Sequence, residues 1–248
     1  AKEPLVVCGL AVARMAFRKV DPKVRFVERC QDGDEVNTGD ILFEVHGPAR
    51  AILTAERLAL NFVMYLSGTA SITRQLVVIT NKYGVTILDT RKTMPTVRAL
   101  AKYAVRCGGG SNHRFGLWDG ILIKENHLYA TGVKKKNQVN VPALRELVSR
   151  IRKSTHKSIE IEVESLAEFK DVLESGCDII MLDNFSPAEV RQAVSMRNKA
   201  KVPVRLEASG GINIHNLPAY ARTRVDFISL GAMTHSVRSR DISLQVVY

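Results

Sequence analysis

From about residue 85 onward, two hydrophobic rhythms take turns along the chain. Short apolar, β-branched runs occur at Val85 to Asp89, Gly120 to Lys124, Ser158 to Glu164, Asp178 to Asp183, Val204 to Ala208 and Phe227 to Leu230. Between them lie amphipathic stretches at Ala143 to Lys153, Ser165 to Glu174 and Pro187 to Arg197. In the first of these, Leu144, Leu147, Val148 and Ile151 keep the three-and-four spacing of one helix face. The later strands follow one another at about 20 to 26 residues, the length of one crossover unit, which predicts a parallel sheet closed or nearly closed into a barrel. Ser165 with Glu168 reads as a capping box, and Ser186 precedes Pro187 at a first helical position.

Residues 1–54 have a different texture. Glu3 to Phe17, Lys23 to Glu28 and Ile41 to Val45 are strand-like, and Asp32-Gly33-Asp34-Glu35 and Thr38-Gly39-Asp40 punctuate them as tight turns. Such turns resemble those of biotinyl and lipoyl carrier domains, but no lysine occupies a hairpin tip, which disfavours a swinging-arm function. Ala55 to Leu66 predicts a strongly apolar helix with Arg57 as its one cation, on the buried face. Ser67-Gly68-Thr69 breaks it before Ser71 to Thr80 resumes. Ser243 to Tyr248 alternate like a strand and are expected to pair back with the N-terminal module. The expected fold class is therefore α/β: an open or incomplete (β/α) barrel over residues 61–242, preceded by a small α/β sandwich domain over residues 1–60.

Composition narrows the function. The 248 residues are 46% apolar, enough to bury a large core. Thirty-six Lys and Arg against 25 Asp and Glu leave a net charge of +11, which favours an anionic partner. Apart from Lys134-Lys135-Lys136 the cations are interleaved with acids, so nucleic acid is disfavoured. The four cysteines are widely spaced, with no C-x-x-C and no histidine pair at metal spacing, which argues against structural zinc and for a reducing, cytoplasmic compartment. Leu5 to Ala13, the longest uncharged apolar stretch near the start, is far short of the roughly 20 residues of a membrane helix. No membrane partner is expected.

The chemistry gathers where the predicted strands end, the working face of such barrels. Asp89-Thr90-Arg91-Lys92-Thr93 places two cations, a carboxylate and two hydroxyls at one strand exit. With Arg114 and Lys124, Arg91 and Lys92 make four cations that repel one another unless a multiply charged anion sits among them. His113 beside Arg114, taken alone, reads as a packed core histidine. Glu160, Glu162 and Glu164 alternate with Ile159, Ile161 and Val163, so all three carboxylates share a strand face. That face is either the solvent side of an edge strand or a barrel interior, where the charges need cations or a metal. Asp183, one strand later, completes a carboxylate pair suited to Mg²⁺. Ser209-Gly210-Gly211 and Ser229-Leu230-Gly231 end the last two strands, where backbone N–H groups commonly take phosphate. Gly108-Gly109-Gly110 is a weaker candidate, since glycines after a helix also cap it.

Many of these residues carry a specific likeness. Ala55-Glu56-Arg57 with Leu60-Asn61, Leu66-Ser67-Gly68, Asp89-Thr90-Arg91-Lys92-Thr93, Lys102-Tyr103-Ala104-Val105, Gly108 through Arg114, Leu122-Ile123-Lys124 with Asn126-His127, Glu160-Ile161-Glu162-Val163, Leu182-Asp183-Asn184-Phe185 and Glu207 through Ile212 resemble the quinolinate phosphoribosyltransferase family. The resemblance runs in unbroken order to Thr234. Met94 stands where the family usually has a second threonine, Leu58 replaces a smaller residue, and the family's customary leading helical segment is missing.

The resemblance implies a reaction of quinolinate with phosphoribosyl diphosphate and Mg²⁺ that yields nicotinate mononucleotide, diphosphate and CO₂. It assigns the two quinolinate carboxylates to Arg91, Arg114 and Lys92, with Arg57 from a neighbouring subunit of a homodimer with shared sites. Thr90 and His113 fall on the substrate side. Lys124 and Lys92 face the diphosphate, Glu162 and Asp183 hold Mg²⁺ and the ribose hydroxyls, and Ser209, Gly210, Gly211, Ser229 and Gly231 take the 5′-phosphate. Lys92, Lys124, Glu162 and Asp183 are the expected catalytic residues. An enzyme acting on nicotinate, a paralogue associated with molybdate transport and a non-catalytic phosphate-sensing or carrier module are the competing readings.

Overall fold

The computed structural model describes residues 1–136 and 138–246. The chain runs through β1 (Leu5–Val6), α1 (Leu10–Val20), β2 (Arg25–Glu28), β3 (Glu35–Val36), β4 (Phe43–His46) and α2 (Ala49–Asn81). It continues with β5 (Thr86–Leu88), α3 (Arg98–Cys107), β6 (Ile121–Ile123), α4 (Glu125–Ala130), β7 (Lys134–Lys135), β8 (Gln138–Val139) and α5 (Val141–Ser154). Then come β9 (Ile159–Val163), α6 (Leu166–Val172), β10 (Ile179–Asp183), α7 (Pro187–Ala200), β11 (Arg205–Ser209), α8 (Leu217–Ala221), β12 (Phe227–Ser229) and α9 (Ala232–His235). The chain divides into two compact units, one of Ala1–Val77, Lys92–Asn112 and Gly231–Tyr248, the other of Val78–Arg91 and His113–Leu230.

The second unit is the α/β core that the strand rhythm predicts. Six strands lie in the order β5-β12-β11-β10-β9-β6, every neighbouring pair parallel. β5 and β6 are the two edges, so the barrel is open there. Each of the six apolar runs overlaps one of these strands, with ends that differ by no more than one residue. β9 is paired on both sides and all five of its residues are buried, which removes the edge-strand explanation of its glutamates. α7 starts with the full capping box: Ser186 Oγ accepts the Glu189 N–H while Glu189 Oε2 accepts the Ser186 N–H. At α6 only half of the box forms. Ser165 Oγ accepts the Glu168 N–H, but the Glu168 carboxylate turns to the Glu164 N–H and the Lys134 ammonium. That ammonium is buried and also meets Glu125 at 2.7 Å, so Lys134 is not part of an exposed basic patch.

In the first unit β1 pairs with β3 and β2 with β4, both antiparallel, and helices complete the layer. The stretch from Glu3 to Phe17 is not one strand. Gly9, at φ +105°, turns the chain out of β1, and Asp32 Oδ1 accepts the N–H groups of Gly9 and Leu10 at the start of α1. Leu10, Ala13 and Phe17 then form the buried face of that helix, and Phe17 meets Phe26 and Phe43 in the core. The predicted break at Ser67-Gly68-Thr69 is also absent, since α2 runs through it. These small residues serve packing instead. Ser67 Oγ accepts the Cys8 N–H, and a Cβ on Gly68 would strike the Arg238 carbonyl.

By length and composition α2 passes as a membrane span, yet half of its most apolar window is buried in the protein. Ala51, Ala55, Ala59, Leu60 and Val63 lie in the hydrophobic core. No strand forms at 243–246, and Val247 and Tyr248 lie outside the described residues. The return to the N-terminus is made just before, where Asp241 O accepts the Lys2 N–H, Arg240 pairs with Glu3 at 2.7 Å and Ile242 enters the core.

Gly108 caps α3 at a close crossing with α2. A Cβ there would collide with the Ala70 carbonyl and lie 2.5 Å from Thr73 Cβ. Gly108→Ala is expected to cost about 1–3 kcal/mol by overpacking. A urea midpoint unchanged from wild type would contradict this.

Candidate active site

The C-terminal ends of the parallel strands carry the ionisable residues. β5 ends against Asp89, a buried carboxylate whose Oδ1 accepts the His113 N–H at 2.9 Å. This bond anchors the segment between α3 and β6. His113 Nδ1 in turn accepts the Arg114 N–H at 2.8 Å, so the ring hydrogen resides on Nε2. Nε2 faces two carboxylates, Glu160 Oε2 at 3.0 Å and Glu207 Oε2 at 3.7 Å.

Arg114 is half-buried, and one arm of its guanidinium donates to the Gly120 carbonyl at 3.0 Å. Its buried Nε has no acceptor among the described residues. Burial lowers the Arg114 pKa, and the positive charge of Arg91 lowers it further, while Glu160 acts the other way. Arg91 and Thr90 follow Asp89 at the strand exit, Arg91 exposed and Thr90 half-buried.

β6 delivers Lys124 and β9 delivers Glu162, and the Lys124 ammonium donates to Glu162 Oε2. Asp183 ends β10 partly exposed, bonded by Asn184 Nδ2 at 2.9 Å. It stands in register with Ser209 at the end of β11. Gly210 and Gly211 follow at φ +92° and +62°, a backbone path closed to most side chains. A Cβ on Gly210 would clash with Asn184, whereas Gly211 faces open space. Gly108-Gly109-Gly110 takes its capping role, with Gly108 N–H bonded to the Ala104 carbonyl.

The strands thus bring Thr90, Arg91, His113, Arg114, Lys124, Glu162, Asp183, Ser209, Gly210 and Gly211 into one unit. Lys92, Gly231 and Arg57 belong to the other. There the Lys92 carbonyl accepts the Thr234 hydroxyl at 2.6 Å. One expectation changes. Arg57 is exposed on α2, on the face opposite Ala55 and Ala59 and beside exposed Leu53 and Leu58, so within one chain its charge bears no desolvation cost. Ser229 is 5% exposed inside β12, and its hydroxyl adjoins Glu207.

Glu207 is the functional candidate that no role was given in the sequence. It lies in the middle of β11, fully buried, and burial followed by the nearby charge of Glu160 pushes its pKa well above the carboxylate range. The signal was present: a lone acid in the apolar run Val204 to Ala208 breaks the pattern of a strand buried on both faces.

Comparison with known families decides what this arrangement belongs to. Residues 69–245 match the quinolinate phosphoribosyl transferase C-terminal domain, and residues 1–67 match the N-terminal domain of the same family. The chain belongs to the quinolinate phosphoribosyltransferase family. A probable carboxylating nicotinate-nucleotide pyrophosphorylase of Bacillus subtilis is 40% identical over 99% of this chain and 81% of its own length. The carboxylating nicotinate-nucleotide pyrophosphorylase of Mycobacterium leprae is also 40% identical, over 99% of this chain and 84% of its own. The solved nicotinate-nucleotide pyrophosphorylase of Francisella tularensis superposes with a TM-score of 0.89 at 40% identity, covering 98% of this chain and 83% of that one.

Proposed function

We propose that this protein transfers the phosphoribosyl group of phosphoribosyl diphosphate to quinolinate, with loss of CO₂, to give nicotinate mononucleotide and diphosphate for de novo NAD synthesis. The observation that supports this reading best is Arg114, with a buried Nε that lacks an acceptor among the described residues and the charge of Arg91 close by. Two guanidiniums brought together against their repulsion suit a ligand with two carboxylates, and the planar fork of arginine matches that geometry.

Arg91 and Arg114 would hold the pyridine dicarboxylate, with His113 beneath it and Thr90 at its edge. Lys124 would face the diphosphate, leaving Glu162 as its ground-state partner. Glu162 and Asp183 fit a magnesium ion, since both are oxygen donors at the ends of neighbouring strands and Asp183 is partly open to solvent. When bound, Mg²⁺ would help neutralise the departing diphosphate. The same carboxylates would stabilise positive charge growing on the ribose. Ser209, Gly210 and Gly211 would take the 5′-phosphate through the open backbone beyond β11. The family likeness adds Lys92 and Gly231 as substrate contacts and Arg57 of a partner subunit in a homodimer. A cytoplasmic setting fits the four unpaired cysteines.

A coupled assay tests the reaction itself. CO₂ release should require quinolinate and phosphoribosyl diphosphate together, and release with either alone, or with neither, would remove this reading. The division of labour has its own check: Glu162→Ala and Asp183→Ala should lower kcat and apparent Mg²⁺ affinity while calorimetry finds quinolinate binding nearly intact. Loss of quinolinate binding with ordinary Mg²⁺ dependence would reverse the assignment.

A further inference from the structure

A cluster of reactive side chains lies within the first unit, where the ends of β1 and α3 meet. Cys8 stands just after β1 and is fully buried, while Cys107 is the last residue of α3 and half-buried. Both belong to one apolar cluster with Val6, Leu66, Ala70 and Ala104, and their thiols share a side-chain hydrogen bond. A second bridge ties the same two elements together. The Tyr103 hydroxyl, one turn before Cys107, donates to Asp32 Oδ2 at 2.9 Å, and Asp32 Oδ1 accepts the N–H of Gly9, the residue after Cys8. Ser67 fixes the Cys8 backbone from the other side, its Oγ accepting the Cys8 N–H at 3.0 Å and its hydroxyl donating to the Cys8 carbonyl.

The two thiols have different characters. The bond to Cys107, and then burial, hold the Cys8 thiol far above its ordinary range, so Cys8 keeps its proton and is the donor. The same bond, received by Cys107, lowers that thiol; the Tyr103 hydroxyl and the Arg106 charge act in the same direction, against burial and the charge of Asp32. Thiolate, the form that attacks oxidants, is therefore favoured at the half-exposed sulfur. Burial pushes the Cys30 and Cys177 thiols up to about 11, and the Cys30 thiol is further occupied by the Leu42 carbonyl at 3.5 Å. Cys107 thus combines thiolate character, a route to solvent and an adjacent second thiol, a combination that Cys30 and Cys177 do not share.

We propose that Cys8 and Cys107 form a reversible modification site for hydroperoxides, in which Cys107 is the thiol oxidised and Cys8 the thiol that resolves it to a disulfide. The Cys107 thiolate attacks one peroxide oxygen, the O–O bond breaks, and Cys107 becomes a sulfenic acid while the leaving oxygen takes a proton from water. The Cys8 sulfur then attacks the Cys107 sulfur, the S–O bond breaks, and the Cys8 proton leaves with the hydroxyl as water. Two electrons pass to the peroxide, one from each sulfur, and a dithiol reductant returns them. A resolving thiol in contact stops the oxidation at the disulfide, before the irreversible sulfinic acid. Such a transient disulfide is compatible with a reducing compartment. It would also staple the end of β1 to the end of α3, closing a long loop of the first unit.

Hydrogen peroxide is the probe. Folded, full-length wild type treated with it should yield a linked Cys8–Cys107 peptide on digestion without reductant, and dithiothreitol should abolish the link. Treated protein in which these residues stay unlinked, or in which Cys107 pairs preferentially with another cysteine, would overturn the proposal. Before oxidation, iodoacetamide should alkylate Cys107 at least about tenfold faster than Cys30 or Cys177. Equal rates would deny Cys107 its role as the reactive thiol. Cys8→Ala removes the resolving thiol, so dimedone should trap the Cys107 sulfenic acid about tenfold more than in wild type, and without dimedone Cys107 should advance to the sulfinic acid. A purely structural pair would give neither product, and their absence in this variant would also end the proposal. If Cys8→Ala fails to fold, the peptide map and the alkylation rates of wild type still decide. The oxidised wild type should have a higher urea midpoint than the reduced protein, and a lower one would show that the link distorts the unit it is proposed to staple.

Discussion

Replacing Arg114 with alanine should weaken quinolinate binding by about 2–5 kcal/mol, the usual cost of truncating a buried charge partner. The effect is large because Arg114 is held from three sides. Its side chain is fixed by the Gly120 carbonyl, its backbone N–H by His113 Nδ1, and the His113 backbone by Asp89. The guanidinium is therefore in place before the ligand arrives, and little binding energy is lost in ordering it. The same convergence of charge predicts that nicotinate, with one carboxylate, binds far more weakly than quinolinate. Calorimetry on the wild type and Arg114→Ala with both ligands measures these effects together. Equal affinity of the wild type for the two would show that the paired arginines do not serve a dicarboxylate.

The second large effect concerns the sharing of sites. Under the proposed homodimer, each site takes Arg57 from one subunit and Glu162 from the other, so Arg57→Ala and Glu162→Ala proteins should each be nearly inactive. Co-refolded, they should form hybrids in which one of the two sites is whole. With random mixing half the dimers are hybrids and half their sites work, so activity should recover to roughly a quarter of wild type. The exposure of Arg57 beside Leu53 and Leu58 accords with this arrangement, because that face is available to a second copy. Recovery no greater than the sum of the two parents, in a mixture shown to contain hybrids, would place Arg57 in its own subunit's site or in none.

How far the sequence could be read depended on what each residue had to reveal. The parallel strands were legible because strands buried on both faces must be apolar, and a charged residue at a strand end stands out against that background. Glu160 and Glu162 were legible for the same reason. Glu207 obeys the same rule, yet a single acid beside Ser209-Gly210-Gly211 was absorbed into the glycine motif. The long helix was misread at Ser67-Gly68-Thr69 because local propensity favours a break, while tertiary contacts to Cys8 and Arg238 demand small residues inside a continuous helix. The buried-face reading of Arg57 failed because apolarity alone does not mark which face of a helix is buried, and α2 keeps Leu53 and Leu58 exposed. Glu3 to Phe17 misled for a related reason. An unbroken apolar run has no period, and only the left-handed turn at Gly9 separates strand from helix.

The first unit is built from three stretches of chain, and its last one begins at Gly231. Glu3 and Arg240 pair across almost the whole sequence, and Ile242 fills the core that Leu5, Phe17 and Phe26 begin. During synthesis the residues of the first two stretches must therefore wait, with apolar surface uncovered, until the stretch from Gly231 has emerged from the ribosome. Nascent chains arrested before Gly231 should be cleaved within residues 1–77 by a protease that spares the released, full-length protein. Equal resistance in both would show that this unit closes without its C-terminal stretch. The discontinuity makes the order of translation, as well as the pattern of residues, a condition of reaching the folded state.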